Sequence, residues 1–162
     1  MSADRYLIRA DEIAAMEGLA KTHFMNPNAQ RINKSLGDLT GLTGIGVHLI
    51  EVAPGHESTE HHVHHQEEEC VYILSGEGTA CIGDEEHPIG PGDFIGYRAG
   101  GLAHSLKNTG SEVLRVLVMG QRLDHDVGDY TRAGKRLYRN KGMPWSLVDL
   151  DDITKIETAG KK

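Results

Sequence analysis

The sequence predicts an all-β fold. Three observations lead there: six short β-branched segments, turn-forming Gly, Pro, Asn or Asp between them, and no long amphipathic helix to interrupt them. The segments are 46–52, 69–74, 79–82, 93–97, 103–107 and 113–119.

Taken in order, Asp11 caps a short helix over 11–18 that Gly18 stops. Residues 26–38 are polar and turn-rich, with 31–36 expected as an extra edge strand. In 69–74, Glu69, Val71 and Ile73 share one face and Cys70, Tyr72 and Leu74 the other, so both faces carry apolar residues. One face belongs to the interior and the other needs a cover, and a homodimer is expected to supply it. Cys70 and Cys81 are placed on neighbouring strands of a hairpin over 69–83 as free, buried thiols with no catalytic role. Past 119, the run over 123–130 holds Asp124, His125, Asp126 and Asp129 without strict spacing and reads as a hydrated loop rather than a second metal site. Tyr138, Met143, Trp145, Leu147 and Val148 are expected to pack over the barrel or across a partner.

The chemistry concentrates in 55–76, GHESTEHHVHHQEEECVYILSG, where five histidines precede a β-rich segment. His62 and His64 stand at i and i+2, which on a strand puts both imidazoles on one face, about 7 Å apart along the chain. Two such rings can lean onto one ion. Glu69 lies an odd number of positions beyond His64, so a turn at 65–67 is needed to return it to the same face. His56, His61 and His65 fall outside that pattern, as loop or supporting residues. A second segment, 91–108, PGDFIGYRAGGLAHSLKN, carries two turns and then His104 and Asn108.

Together the two segments resemble the paired signature of the cupin superfamily: Gly55, His62, His64, Glu69 and Gly76, then Gly92, Gly101, His104 and Asn108. The H-x-H falls one place later after Gly55 than in the tightest form of the pattern. The second motif has Arg98 or Ala99 where proline is usual, and is one residue longer between Gly92 and Gly101. The resemblance covers roughly 44–120. It implies a double-stranded β-helix, the cupin jelly roll, with an N-terminal extension over 1–43 and a C-terminal extension over 121–162. It also implies a divalent metal ion (Fe, Mn, Ni or Zn) held by His62, His64, Glu69 and His104, and it agrees with the expected homodimer.

Three imidazoles and a carboxylate leave two positions of an octahedral ion for a bidentate oxygen ligand. Such a centre suits aldose–ketose isomerisation of a sugar or sugar phosphate through a metal-stabilised enediolate, a class the resemblance extends to. Glu67, Tyr72 and Tyr97 are the candidate bases. Arg98 is the candidate phosphate contact, since Lys107 alternates away from His104. An iron-dependent dioxygenase would use the same four ligands. A non-enzymatic small-ligand binder or sensor is the third reading.

With 24 acidic against 17 basic residues and a net charge of -7, the chain lacks the basic face that nucleic acid requires. Lys135, Arg136 and Arg139 read as a solvated edge. Neither a signal peptide nor a membrane span is visible, and the expected compartment is the cytoplasm. The expected partner is a small-molecule substrate of carbohydrate type.

Overall fold

The computed structural model describes residues 5–156 and contains thirteen strands within them. In chain order these are β1 (Leu19–His23), β2 (Asn26–Ser35), β3 (Ile45–Val52), β4 (Val63–His64), β5 (Glu69–Ser75), β6 (Gly78–Ile82), β7 (Glu85–Ile89), β8 (Phe94–Tyr97), β9 (His104–Lys107), β10 (Leu114–Gln121), β11 (His125–Tyr130), β12 (Lys135–Asn140) and β13 (Ser146–Asp149). All the strand pairings are antiparallel, and the architecture is an all-β jelly roll.

One layer is the six-stranded sheet β1-β2-β3-β10-β5-β8. Two smaller sheets, β7-β6-β9 and β4-β11-β12-β13, form the other. They are joined where His62 and His104 exchange backbone hydrogen bonds, His62 N to His104 O at 3.1 Å and His104 N to His62 O at 2.7 Å. That seam sets two predicted ligands side by side before any side chain is considered.

The core is built from Ile50 and Val52 of β3, Val71 and Ile73 of β5, Leu114 and Val116 of β10, and Ala80, Ile89 and Leu106 from the facing layer. Val52, Ile73, Leu114 and Val116 are fully buried, and Ile73→Ala would cost about 2–5 kcal/mol. Period-2 alternation carries these inward rows toward the polar end of the barrel. On β5 the row runs Ile73, Val71, Glu69, and on β9 it runs Leu106, His104. The strands that make the apolar core thus also deliver the site.

Two motif residues act on the backbone. Gly76, at φ +81°, turns β5 toward β6, and a Cβ there would sit 2.5 Å from the Val113 carbonyl oxygen. Asn108 is fully buried, donating from Nδ2 to the carbonyls of Val52 and Glu112 at 2.8 Å each and accepting from Gly110 N at 3.0 Å.

Several expectations are corrected here. The first helix, α1, spans Ala10–Ala15; Arg9 precedes it, with Glu12 accepting from Arg9 N, and Asp11 lies inside its first turn. The polar stretch after residue 26 is a ten-residue strand, and it is interior to the sheet because β1 forms the edge beyond it. Cys70 and Cys81 are free but do not share a hairpin: β5 pairs with β10 and β8, while β6 pairs with β7 and β9 across the barrel. The run over 123–130 is not a hydrated loop, since it forms β11 with Asp126 and Asp129 buried. Met143 and Trp145 are 64% and 63% exposed rather than packed over the barrel, with the Arg139 guanidinium over the Trp145 ring at 5.9 Å, which leaves packing across a partner as the remaining expectation. Among the described residues no helix is long and apolar enough to cross a membrane.

Candidate metal centre

Each of the three predicted histidines is anchored through Nδ1. His62 Nδ1 lies 2.8 Å from the Glu60 carbonyl oxygen, His64 Nδ1 lies 2.6 Å from Asp126 Oδ2, and His104 Nδ1 lies 3.3 Å from the Leu102 carbonyl oxygen. A carbonyl or an ionised carboxylate only accepts, so in each ring Nδ1 carries the proton and Nε2 presents a lone pair. His62 Nε2 and His64 Nε2 face one another at 3.1 Å, and His104 Nε2 is buried without a hydrogen-bond partner. The rings of His64 and His104 each lie with their centroids 4.8 Å from that of His62. Lone pairs on His62 and His64 Nε2, with the orphaned His104 Nε2 on the strand beside them, suit a cation, although these atoms do not lie as close together as the donors of His64, Glu67 and Asp126.

Electrostatics follow from burial. His62 is held well below its ordinary pKa by burial and by the neighbouring His104 and His64, and His104 is lowered to about 4 chiefly by burial. Both rings are therefore neutral at physiological pH, the form a metal requires. Burial pulls His64 down as well, but Asp126, Glu69 and Glu67 together raise it above its usual value. Burial raises the Glu69 carboxyl, against the pull of His64 and Arg31.

Glu69 separates two cavities. The first, of about 80 Å³, is lined by Arg31, His62, Glu69, Tyr97 and His104. The second, of about 160 Å³, is lined by His48, His64, Glu67, Glu69, Arg122 and Arg139. Glu69 stands opposite Tyr97 across the β5–β8 ladder and opposite Gly120 across β5–β10.

The candidate bases part company. The Tyr97 ring stacks on His104 with centroids 3.5 Å apart and planes 4° from parallel, and its hydroxyl is buried with no partner. Burial, then Glu69, raises its pKa, so the phenol stays protonated. Glu67 is buried, contacts Arg139 and accepts from Leu123 N at 2.7 Å. Tyr72 is 40% exposed on the opposite face of β5 from Glu69, because three residues along a strand invert the side chain, so it does not reach the site. Arg98 is exposed at the rim of a further cavity, where Glu68, Glu69, Tyr97 and Gln121 also stand.

The structure adds residues that spacing did not identify. Asp126 orients His64, accepts from Gln66 N at 3.1 Å and Glu67 N at 3.3 Å, and so also fixes the turn between β4 and β5. His64, Glu67 and Asp126 are close enough to hold a cation themselves, their donor atoms lying within 4.8 Å of one another. Arg139 stands against that group, touching Glu67 and lying 3.7 Å from Asp126, and Arg136 grips Asp129 at 2.6 and 2.7 Å. The expected solvated edge is instead a set of arginines that neutralise buried carboxylates. His61, placed outside the pattern, is buried with Nδ1 3.2 Å from Ser105 Oγ.

Comparison with known proteins agrees with this fold. The Cupin domain family model matches residues 48–120. A structure of a protein from Acidithiobacillus ferrooxidans, provisionally named a sugar phosphate isomerase, is 54% identical, with 94% of this chain and 97% of that chain covered and a TM-score of 0.92. A sugar phosphate isomerase from a cupin superfamily, from Silicibacter pomeroyi, is 22% identical, with 89% and 94% covered and a TM-score of 0.76, a likeness of fold. No protein of curated function matches the sequence.

Proposed function

The chain belongs to the cupin superfamily, and we propose that it is a metal-dependent isomerase of a sugar or sugar phosphate, with His62, His64, Glu69 and His104 as the ligands of a divalent ion. The observation that carries this reading is that His62 Nε2 and His64 Nε2 face one another at 3.1 Å and His104 Nε2 is buried without a partner beside them, each ring fixed by an oxygen on its Nδ1. The alternative group of His64, Glu67 and Asp126 would use His64 Nδ1, which is engaged by Asp126, and would set a cation beside Arg139.

When bound, the ion supplies Lewis-acid stabilisation of oxygen charge as a proton leaves the adjacent carbon. The chain's own residues supply the rest. Tyr97, neutral and buried beside His104, donates a hydrogen bond to the reacting oxygen. Glu67, which lines the cavity on the His64 side and is paired with Arg139, is the candidate carboxylate for the transferred proton. Arg98 at the rim is suited to a phosphate, and the name of the 54% identical relative supports a phosphorylated sugar.

The outer face of β5 and β8, with Tyr72, Leu74 and Phe94 exposed at 40%, 44% and 63%, supports a homodimer. A monomeric mass in sedimentation at micromolar concentration would remove that part of the reading. The metal site is tested by elemental analysis of untagged protein and of His62→Ala and His104→Ala. Metal content falls in both variants; retention in either contradicts the four-ligand assignment. Aldose–ketose interconversion without oxygen uptake identifies the isomerase, and oxygen uptake by the iron-loaded protein would identify a dioxygenase instead.

A further inference from the structure

Three arginines line the two cavities beside Glu69, and two of them are already neutralised. Arg122 donates to Asp38 at 2.5 Å, and Arg139 lies against Glu67 and Asp126. Arg31 differs from both. Among the described residues no carboxylate oxygen lies within 4.0 Å of its guanidinium, Glu69 acting on it only from farther off, and its Nη1 donates to the Ser58 carbonyl oxygen; its Nε is buried with no partner, as is that of Arg139. Burying a guanidinium without a carboxylate or a full set of acceptors is unfavourable, so a chain that keeps one there has reserved donors for something else.

The position of Arg31 follows from its strand. Along β2, Arg31, Asn33 and Ser35 share a face, and Asn33 stands opposite the core residue Ile50. Arg31 therefore enters the barrel one step beyond Asn33, into the 80 Å³ cavity with His62, Glu69, Tyr97 and His104. That space equals the volume of about two or three water molecules, too little for a whole sugar phosphate, and so suits the reacting end of a ligand.

Building on the metal-site reading above, we propose that Arg31 recognises a small oxyanion, a carboxylate or an enolate-like oxygen, at the reacting end of the substrate. Glu69 is engaged as a ligand in that reading, which leaves the guanidinium as the positive group of the cavity free to meet substrate charge. Its planar fork offers a bidentate grip that an ammonium lacks. Arg98, at the rim, would then serve a remote phosphate while Arg31 serves the oxygens that react.

Oxalate, inorganic phosphate and imidazole titrated into the cobalt-loaded protein, followed by visible absorption, test the assignment. Metal uptake by the unaltered chain is measured first and reports on the metal site alone; a chain that takes up none overturns the isomerase reading. With uptake intact, Arg31→Met weakens oxalate binding by about 10- to 100-fold while imidazole, a neutral ligand, binds within about 2-fold of the parent. Unchanged oxalate affinity in Arg31→Met overturns the proposal, as does weakening of phosphate alone, which would make Arg31 the phosphate contact. Should Arg31→Met fail to fold for want of a donor to Ser58, Arg31→Lys carries the test and weakens oxalate by at least about 3-fold through loss of the fork. Arg98→Met leaves oxalate affinity unchanged, and an equal loss there would reduce the effect to general charge.

Discussion

Two histidine–aspartate pairs stand side by side between the β4 segment and β11, and they do different things. In one, Asp126 accepts a hydrogen bond from His64 Nδ1 at 2.6 Å and leaves Nε2 facing His62 Nε2. In the other, His65 Nε2 lies 2.9 Å from Asp129 Oδ2, and Arg136 closes on the same carboxylate through two hydrogen bonds. The residue types match and the two histidines are adjacent, yet a strand inverts at each step, so one ring faces the barrel and the other faces outward. Which ring nitrogen the carboxylate occupies decides what remains. Asp126 orients His64, the proposed ligand, while Asp129, with its charge answered by Arg136, ties β12 to β11 and to the chain before it.

The largest contrast lies in the rings. His64→Ala lowers metal affinity by at least about 100-fold, whereas His65→Ala leaves it within about 2-fold, measured by competition with a chromophoric chelator. Equal losses would mean that the two pairs form one unit. The carboxylates come next: Asp126→Asn weakens metal binding about 10- to 100-fold by loosening the His64 tautomer and orientation, and Asp129→Asn leaves it unchanged. If Asp129→Asn weakened binding as much, the division of roles would fail.

The smallest effect belongs to the outer pair and concerns stability. Arg136, then His65, hold the Asp129 carboxyl below its usual range. A depressed carboxylate contributes stability that is complete above its unfolded value near ~4 and is lost as pH falls through the folded value. Urea titrations of the metal-free protein should therefore show Asp129→Asn less stable by about 1 kcal/mol at pH 7. That gap should narrow in acid below pH about 4, and a gap independent of pH would point to packing rather than charge.

Much of this was legible in the sequence because it is local. All six expected strands occur at nearly their expected positions, and after the turn at 65–67 Glu69 lines the same cavity as His62 and His104. What failed was long-range. Residues 26–35, NPNAQRINKS, are rich in turn formers, and only pairing to β1 and β3 holds them extended, so tertiary context overrode local preference. Asp126 is 62 residues from His64 and matches no motif spacing. The segment HDVGDY offers no apolar alternation either, and both Asp126 and Asp129, on opposite rows of β11, end up buried. Arg31 left no trace, because a lone basic residue in a polar stretch looks solvated until the barrel closes around it. The cysteine hairpin failed for a topological reason: in a jelly roll the chain crosses between layers after β5, so neighbours in sequence become neighbours across the core.

The central claim is that one ion is held by His62, His64, Glu69 and His104 rather than by the carboxylate group beside Arg139. Anomalous diffraction at the manganese edge from crystals grown with Mn(II) tests it most directly. The account predicts a single strong peak about 2.0–2.3 Å from the three Nε2 atoms and a Glu69 oxygen. A peak lying instead between His64 Nδ1, Glu67 and Asp126, or no peak in protein that binds Mn(II) in solution, would contradict it.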